Sequence, residues 1–259
     1  MNKKSTSWGG VAGWYDKLLE KDADTYQRRV ISPNLLRLLD PKKGRIVLDL
    51  ACGQGFFARE FQKKGATVIG ADISKELIEL AIKNSPKEIK YVATPADNLS
   101  FAKDKTIDAI TIVLAIQNIE NVHGVLAECR RALKPGGQLL MVLNHPAFRV
   151  LKESSWGYDE AQKVQYRRID RYLSESKEKI EMHPSTSSGQ VLKPSEYTIS
   201  FHRPLQFYFK LLGKNNFGVT RLEEWVSHRT SEPGARAAAE NRARAEIPLF
   251  LFVEAVQLR

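Results

Sequence analysis

The chain's 259 residues are 42% hydrophobic and weigh 29.3 kDa, which fits one large domain, or one domain with an inserted piece, and excludes global disorder. Its net charge of +10 is spread along the sequence, and the dense basic clusters are short: Lys42-Lys43, Arg167 to Arg171, and Arg236 with Arg242 and Arg244. A solvated basic surface is the first reading, and attraction of an anionic substrate or of RNA the second.

From Arg45 to Arg131 strands and helices are predicted to alternate. Arg45 to Leu50 is a β-branched, nearly continuous apolar run that ends at a glycine turn, as a buried parallel strand does. Gly55 to Lys64 is helical in character, and Thr67 to Asp72 is the second strand. Ser74 then caps a helix to about Asn84, with Leu77, Ile78, Ala81 and Ile82 on one face. Lys90 to Ala93 is a short third strand and Ile107 to Ile116 the fourth. Val122 to Leu133 is helical and stops at Pro135-Gly136-Gly137, before a fifth strand from Gln138 to Leu143. Strands separated by helices predict a parallel α/β sheet with right-handed crossovers. The pattern breaks over 145–200, which is aromatic and charged and contains the low-complexity tract Pro184 to Gln190. A helix from Pro204 to Lys214, strands over Phe217 to Trp225 and Leu249 to Leu258, and a helix within Ala235 to Glu246 follow.

Asp49-Leu50-Ala51-Cys52-Gly53-Gln54-Gly55 lies between a strand and a helix, where glycine lets backbone approach a ligand. Asp72 ends the next strand, where a carboxylate can accept both ribose hydroxyls. The loop lacks the third glycine of a dinucleotide fingerprint. It carries an acid before the turn, which would repel a pyrophosphate and suits a cationic ligand. No Gly-Lys-Ser/Thr follows, so a phosphate-loop NTPase is excluded.

Val47 to Gly55, Val68 to Ser74 and Leu133-Lys134-Pro135-Gly136-Gly137, in that order and spacing, resemble the class I S-adenosylmethionine-dependent methyltransferases, in the small-molecule branch that includes the ubiquinone and menaquinone biosynthesis enzymes. The resemblance covers about residues 44–144. It implies a Rossmann-like, seven-stranded, mostly parallel α/β sheet with an antiparallel last strand, S-adenosylmethionine as cofactor, and methyl transfer. It places Asp49, Ala51 and Gly53, with Cys52 and Gly55 of the same loop, at the methionine part of the cofactor. Asp72 takes the ribose, Ile73 packs on the adenine and Ala96 lines the adenine edge. The family's usual adenine-binding Asp falls on Pro95 here, so Asp97 either substitutes or is a solvated loop acid. Ala115 and Gln117, at the end of strand four, flank the cofactor. Gln117 and Asn118 either face substrate or cap the next helix.

The acceptor is less legible. Asn144-His145-Pro146-Ala147-Phe148 follows strand five, not strand four, and lacks a second proline, so it is not the motif of exocyclic-amine methylation. His145 emerges at the C-terminal strand ends, where ligands bind in such sheets. It is the candidate general base, with His202 behind it; packing is the alternative for both. The chain divides into a helical lid (1–40) in which Tyr15 and Tyr26 either close over the cofactor or pack, a cofactor-binding core (41–144), a substrate cap inserted after strand five (145–202), and a C-terminal part of the core (203–259) with a helical insertion near 229–247. Trp156, Tyr166 and Arg167 in the cap suit a flat or anionic small molecule. The rival functions are an RNA methyltransferase and a non-catalytic S-adenosylmethionine-binding protein.

The longest apolar stretch is ten residues, Ile107 to Ile116, against roughly 20 for a membrane span, and Met1 to Ser7 lacks the apolar core of a secretory leader. Two cysteines, Cys52 and Cys129, exclude a disulfide scaffold and a four-cysteine zinc site and fit a reducing cytoplasm. No cluster of carboxylates and histidines suggests a metal.

Overall fold

The computed structural model describes residues 7–181 and 197–258; the tract Pro184 to Gln190 lies outside them. Helix α1 (Ser7–Lys21) and, after a turn of π-helix, α2 (Ser32–Leu39) precede the sheet. Pro33 occupies the first turn of α2, where a missing N–H costs nothing. Strands β1 (Ile46–Leu50), β2 (Thr67–Asp72), β3 (Lys90–Ala93), β4 (Ile107–Val113) and β5 (Leu133–Asn144) are interleaved with α3 (Phe56–Lys63), α4 (Lys75–Asn84) and α5 (Val122–Ala132). Two hairpins come next, β6 (Ser154–Asp159) with β7 (Val164–Ile169) and β8 (Ser176–Glu181) with β9 (Tyr197–His202). Helix α6 (Leu205–Lys214), β10 (Phe217–Trp225), α7 (Ala237–Glu246) and β11 (Phe250–Gln257) complete the chain.

The seven-stranded sheet has the order β3-β2-β1-β4-β5-β11-β10. β1 to β5 pair in parallel, and β11 runs antiparallel to both β5 and β10. Both faces are buried. Leu48, Ile110, Ile112, Leu139 and Met141 pack on the side of α5 and α6, while Val47, Ala109, Leu140, Val142 and Phe252 pack on the side of α2 and α3. The period of two along each strand sends neighbours to opposite faces. Each fully buried Leu, Ile, Val or Phe is worth about 1.5–3 kcal/mol, so strands that are apolar at successive positions are stable only between two helical layers.

The fourth strand is shorter than its apolar run. It ends at Val113, because Leu114 takes a left-handed conformation (φ 53°) and Ile116–Asn118 turn into a 3-10 helix. Asp108 is tolerated at the strand's start because its carboxylate accepts from the Ile46 N–H at 2.8 Å and from Lys134 Nζ at 2.6 Å. Ser74 caps α4 as expected, its hydroxyl accepting from the Leu77 N–H at 3.2 Å. The region after strand five, without clear periodicity in sequence, forms the two hairpins. Their burial alternates strictly in β7 and β8, but polar residues at the inward positions, such as Gln165, Arg167 and Glu178, hide that alternation from an apolar pattern.

Candidate active site

Beyond the C-terminal ends of β1, β2 and β4 lies a cavity of about 330 Å³. Its floor is the turn after β1. Ala51 and Gly53 both have positive φ, 58° and 56°, so the backbone folds back on itself, with the Cys52 N–H donating to the Ala71 carbonyl at 3.0 Å. Gly55 caps α3 at φ 82°, and a Cβ there would run into the Tyr91 hydroxyl, so only glycine fits. Asp49 and Thr111 face each other across β1 and β4, and Asp49 Oδ1 accepts from Thr111 Oγ1 at 3.0 Å. Its other oxygen, Oδ2, is buried without a hydrogen-bond partner. Burial pushes the Asp49 carboxyl up to about 7, with Asp72 adding repulsion and the Thr111 bond opposing. Asp72 Oδ2 accepts from the Gly53 N–H at 2.9 Å and Oδ1 from the Ser74 N–H at 2.9 Å, and burial raises its pKa as well.

Asp49, Ala51, Cys52, Gly53, Asp72, Ile73, Ala96, Asp97, Ala115 and Asn118 all line this cavity, so most of the residues expected at the cofactor are brought together there. Ile73 is 51% exposed, an apolar face open to a ligand at the tip of β2. The loop with Pro95 in place of the usual acid still presents Pro95, Ala96 and Asp97 to the cavity. Asp97 is not solvated alone; its Oδ2 accepts from Asn121 Nδ2 at 2.7 Å. Cys52 is buried, which drives its thiol pKa well above the ordinary range.

Other expected residues lie elsewhere. Gln117 is buried outside the cavity, its Nε2 donating to the Leu114 carbonyl at 2.9 Å. Tyr15 falls in α1, outside the described side chains; Tyr26 lines a second cavity. His145 does not line the cofactor cavity. It is 2% exposed, its Nε2 lies 2.7 Å from Glu224 Oε1, and its Nδ1 accepts from the Ala147 N–H at 3.2 Å. With both ring nitrogens occupied, it ties β5 to β10. His202 is also buried, its Nε2 donating to the Tyr172 carbonyl at 2.7 Å. Neither imidazole is among the residues that line the cavity. Trp156 and Arg167 line the second cavity, of about 230 Å³, and Tyr166 lies on the same hairpin without lining either.

Residues that sequence reasoning missed complete the first cavity: Trp8 and Leu19 from α1, Phe56 and Phe57 from α3, and Ile119, Glu120 and Asn121 after β4. The signal for Asn121 was its position as cap of α5, where Oδ1 accepts from the Gly124 N–H. Arg203 fixes this rim from the cap side, donating to the carbonyls of Ile119 (2.9 Å) and Glu120 (3.0 Å). Among the described residues the cavity is lined by the acids Asp49, Asp72, Asp97 and Glu120 and by no Lys, Arg or His. A buried, unpartnered carboxylate oxygen in an acid-lined cavity fits a cation-bearing ligand, and a sulfonium amino acid attached to a nucleoside is one.

Residues 48–141 match the family described as methyltransferase domain. The demethylmenaquinone methyltransferase of Thermobifida fusca is 34% identical over 135 residues, 51% of this chain and 56% of that protein. The biotin biosynthesis bifunctional protein BioHC of Cellvibrio japonicus is 28% identical over 93% of this chain and 47% of its own length. The chain thus spans about half the length of these curated relatives. An S-adenosylmethionine-dependent methyltransferase structure from Mesorhizobium loti superposes with a TM-score of 0.66 at 25% identity, covering 86% of this chain and 96% of its own. No helix among the described residues is long and apolar enough to cross a membrane. Residues 48–141 thus match a methyltransferase domain, set in a sheet whose fold is shared with an S-adenosylmethionine-dependent methyltransferase structure.

Proposed function

We propose that the chain transfers the methyl group of S-adenosylmethionine to a small-molecule acceptor. The observation that carries this is the Asp49 carboxylate, buried with one oxygen unpartnered in an acid-lined cavity at the strand ends. When bound, S-adenosylmethionine supplies a methyl carbon already activated by a sulfonium. Asp49 then holds the cationic methionine end, Asp72 accepts from the ribose hydroxyls, and Ile73 with Pro95 and Ala96 receives the adenine. The loop backbone at Ala51 and Gly53 orients the methionine end, and Trp8, Phe56 and Phe57 exclude water. Because the leaving group is good, alignment and desolvation supply much of the rate, and a base is required only for an acceptor that must lose a proton.

The relatives named for quinone precursors support a small acceptor of that general kind. The two cysteines, both unpaired and buried, suit the cytoplasm as its compartment. The net charge of +10 favours RNA as the second acceptor class; binding that weakens steeply with salt would mark it. The deciding experiment is calorimetry with S-adenosylmethionine, followed by incubation of the protein and methyl-labelled cofactor with fractionated cell extract and mass identification of the labelled product. Saturable cofactor binding with label on a small molecule is expected; no cofactor binding by the folded protein would overturn the reading.

A further inference from the structure

The second cavity lies on the same edge of the sheet, past β5, β11 and β10, between the β6–β7 hairpin and the segment that leads into β11. Three arginines line it, Arg149, Arg167 and Arg244, with no Asp or Glu among the lining residues. Arg131, by contrast, meets acids, bonding Glu128 and Asp104. Here Arg167 donates instead to the Phe148 carbonyl (2.9 Å) and Ser154 Oγ (2.6 Å), and its guanidinium lies 5.1 Å from the Trp156 ring centroid. Arg244 is held by Ser231 Oγ at 3.2 Å. The Arg149 guanidinium has no hydrogen-bond, ion-pair or ring partner among the described residues. It stays accessible to solvent, yet the atoms crowded around it lower its pKa, and burial, with the Arg149 charge adding to it, lowers that of Arg167. Like charges held together with no counter-charge are unfavourable unless something else neutralises them.

Tyr26 forms a fixed aromatic wall, with its hydroxyl 3.1 Å from Ser227 Oγ and its ring packed edge-on against Phe250. Phe148 and Trp156 add two more rings. A guanidinium offers a planar fork to a carboxylate or phosphate, and rings beside it accept a flat apolar body. We infer that this cavity is a second ligand site, which takes a compact aromatic molecule bearing a carboxylate or phosphate, with Arg149 as the anchor of the anion. The volume, about 230 Å³, is below the roughly 300–1,000 Å³ of drug-sized sites, which suits one or two rings. In so far as the methyltransferase reading holds, this ligand is the methyl acceptor, and its anion is held on the half of the sheet away from the acid-lined cavity.

The test uses the full chain without cofactor and three probes of one shape: 1-naphthoate, 1-naphthyl phosphate and the neutral 1-naphthalenemethanol, followed by tryptophan fluorescence and calorimetry. One of the anions should bind at least ~10-fold more tightly than the alcohol, as charge-assisted bonds require, and which one wins separates carboxylate from phosphate. Arg149→Met should remove that advantage, leave the alcohol's affinity within about twofold, and leave S-adenosylmethionine affinity unchanged. Arg244→Met, measured beside it with thermal melts of both variants, guards against misfolding and should weaken the anion less than Arg149→Met does. With methyl-labelled cofactor and extract, Arg149→Met should lose at least ~10-fold of the labelling rate of the wild type. Equal binding of anion and alcohol, or an undiminished anion affinity in a folded Arg149→Met, overturns the site. Anion selectivity with unchanged labelling in Arg149→Met overturns only its role as acceptor site, and anion selectivity without cofactor binding overturns the methyltransferase reading and leaves the site standing.

Discussion

Two cavities share one edge of the sheet and differ in charge and in construction. Among the described residues the cavity over β1, β2 and β4 is lined by four acids and no base, and the one over β5, β11 and β10 by three arginines and no acid. The first is built mostly from short loops directly after strands, whose residues are close in sequence: Asp49 to Gly53, Asp72-Ile73, Thr94 to Asp97, and Val113 to Asn121. The second draws Tyr26, Arg149, Trp156, Arg167 and Arg244 from segments scattered through the chain. A parallel sheet supplies the same scaffold to both. What separates them is which connections extend beyond the strand ends, and the long ones follow β5 and β10.

The largest effect expected from breaking this contrast is at Asp49. Asp49→Asn removes the buried charge and should weaken S-adenosylmethionine binding by about 100-fold at pH 8, equivalent to about 3 kcal/mol for an ion pair lost from a buried site. Apo stability should move the other way. The folded-state pKa of Asp49 is raised to about 7 from an ordinary 3.8, so the folded state keeps a proton that the unfolded chain releases between these values. The associated stability is present below pH 4 and is lost as pH rises to about 7, a gap of roughly three pH units worth up to about 4 kcal/mol. Thermal melts of the apo protein at pH 5 and pH 8 should show that loss in the wild type and not in Asp49→Asn. A variant that keeps cofactor affinity and the wild-type slope would remove Asp49 from the site.

The same difference in construction decides what could be read in advance. The core strands, the glycine turn, Asp72 and the cap at Ser74 were legible because each rests on a local rule: a short β-branched apolar run, a positive φ that favours glycine, or a side chain that bonds three residues ahead. The hairpins β6–β7 and β8–β9 were not, because their outward faces carry Lys, Arg and Glu and their inward residues meet other loops instead of the main core. His145 looked catalytic because its place in the chain put it at the strand ends. Its true surroundings depend on Glu224, 79 residues later, a distance at which no spacing rule operates. Gln117 likewise follows β4 at the expected point, but the left-handed Leu114 turns the chain so that Asn118, not Gln117, lines the cavity.

Asp72 should come next in size. Asp72→Asn keeps the shape and loses the charged acceptor, so S-adenosylmethionine affinity should fall by about 1.5–3 kcal/mol, roughly 10–150-fold. Because Asp72 also accepts from the Gly53 and Ser74 N–H groups, Asp72→Ala should cost more, loosening the turn that Asp49 shares. Calorimetry on the two variants separates the ribose contact from loop support; equal affinities for both and for the wild type would remove Asp72 from the ribose.

A smaller, continuous effect should follow pH. A cation beside Asp49 favours its ionised form, so cofactor affinity in the wild type should fall by up to about tenfold per pH unit below about 7 and level off above it. Asp49→Asn should show no such limb. Binding of 1-naphthoate, ionised throughout this range, to the arginine cavity should lack this limb, since no described carboxylate lines it. Titrating both ligands over pH 5.5–8.5, within the stable range of the fold, therefore compares the two cavities in one experiment. Identical profiles for both would mean that the opposite charge of their linings has no bearing on what they bind.

The smallest effect on the cofactor is expected at His145, between the two cavities. Its backbone N–H donates to the Leu249 carbonyl at 2.8 Å, and its ring joins Glu224 and the Ala147 N–H, so it fixes the end of β5 to the last two strands. His145→Gln should lose about 1–2 kcal/mol of stability, since a buried bond to a charged group goes, and keep the S-adenosylmethionine dissociation constant within about threefold. Burial lowers the imidazole pKa, with the Glu224 carboxylate opposing that shift. The stability this neutral ring contributes is therefore present above the ordinary imidazole value of about 6.5 and declines as pH falls through it toward the lowered folded value. The difference in melting temperature between wild type and His145→Gln should therefore shrink as pH falls across that limb, while Asp49 moves both proteins alike in the opposite direction. Once an acceptor is in hand, the rate profile decides the matter independently. A base at this position would impose an acid limb on turnover that vanishes in the variant with a loss of ~10²-fold or more, whereas a strand tie leaves turnover near normal and the profile unchanged.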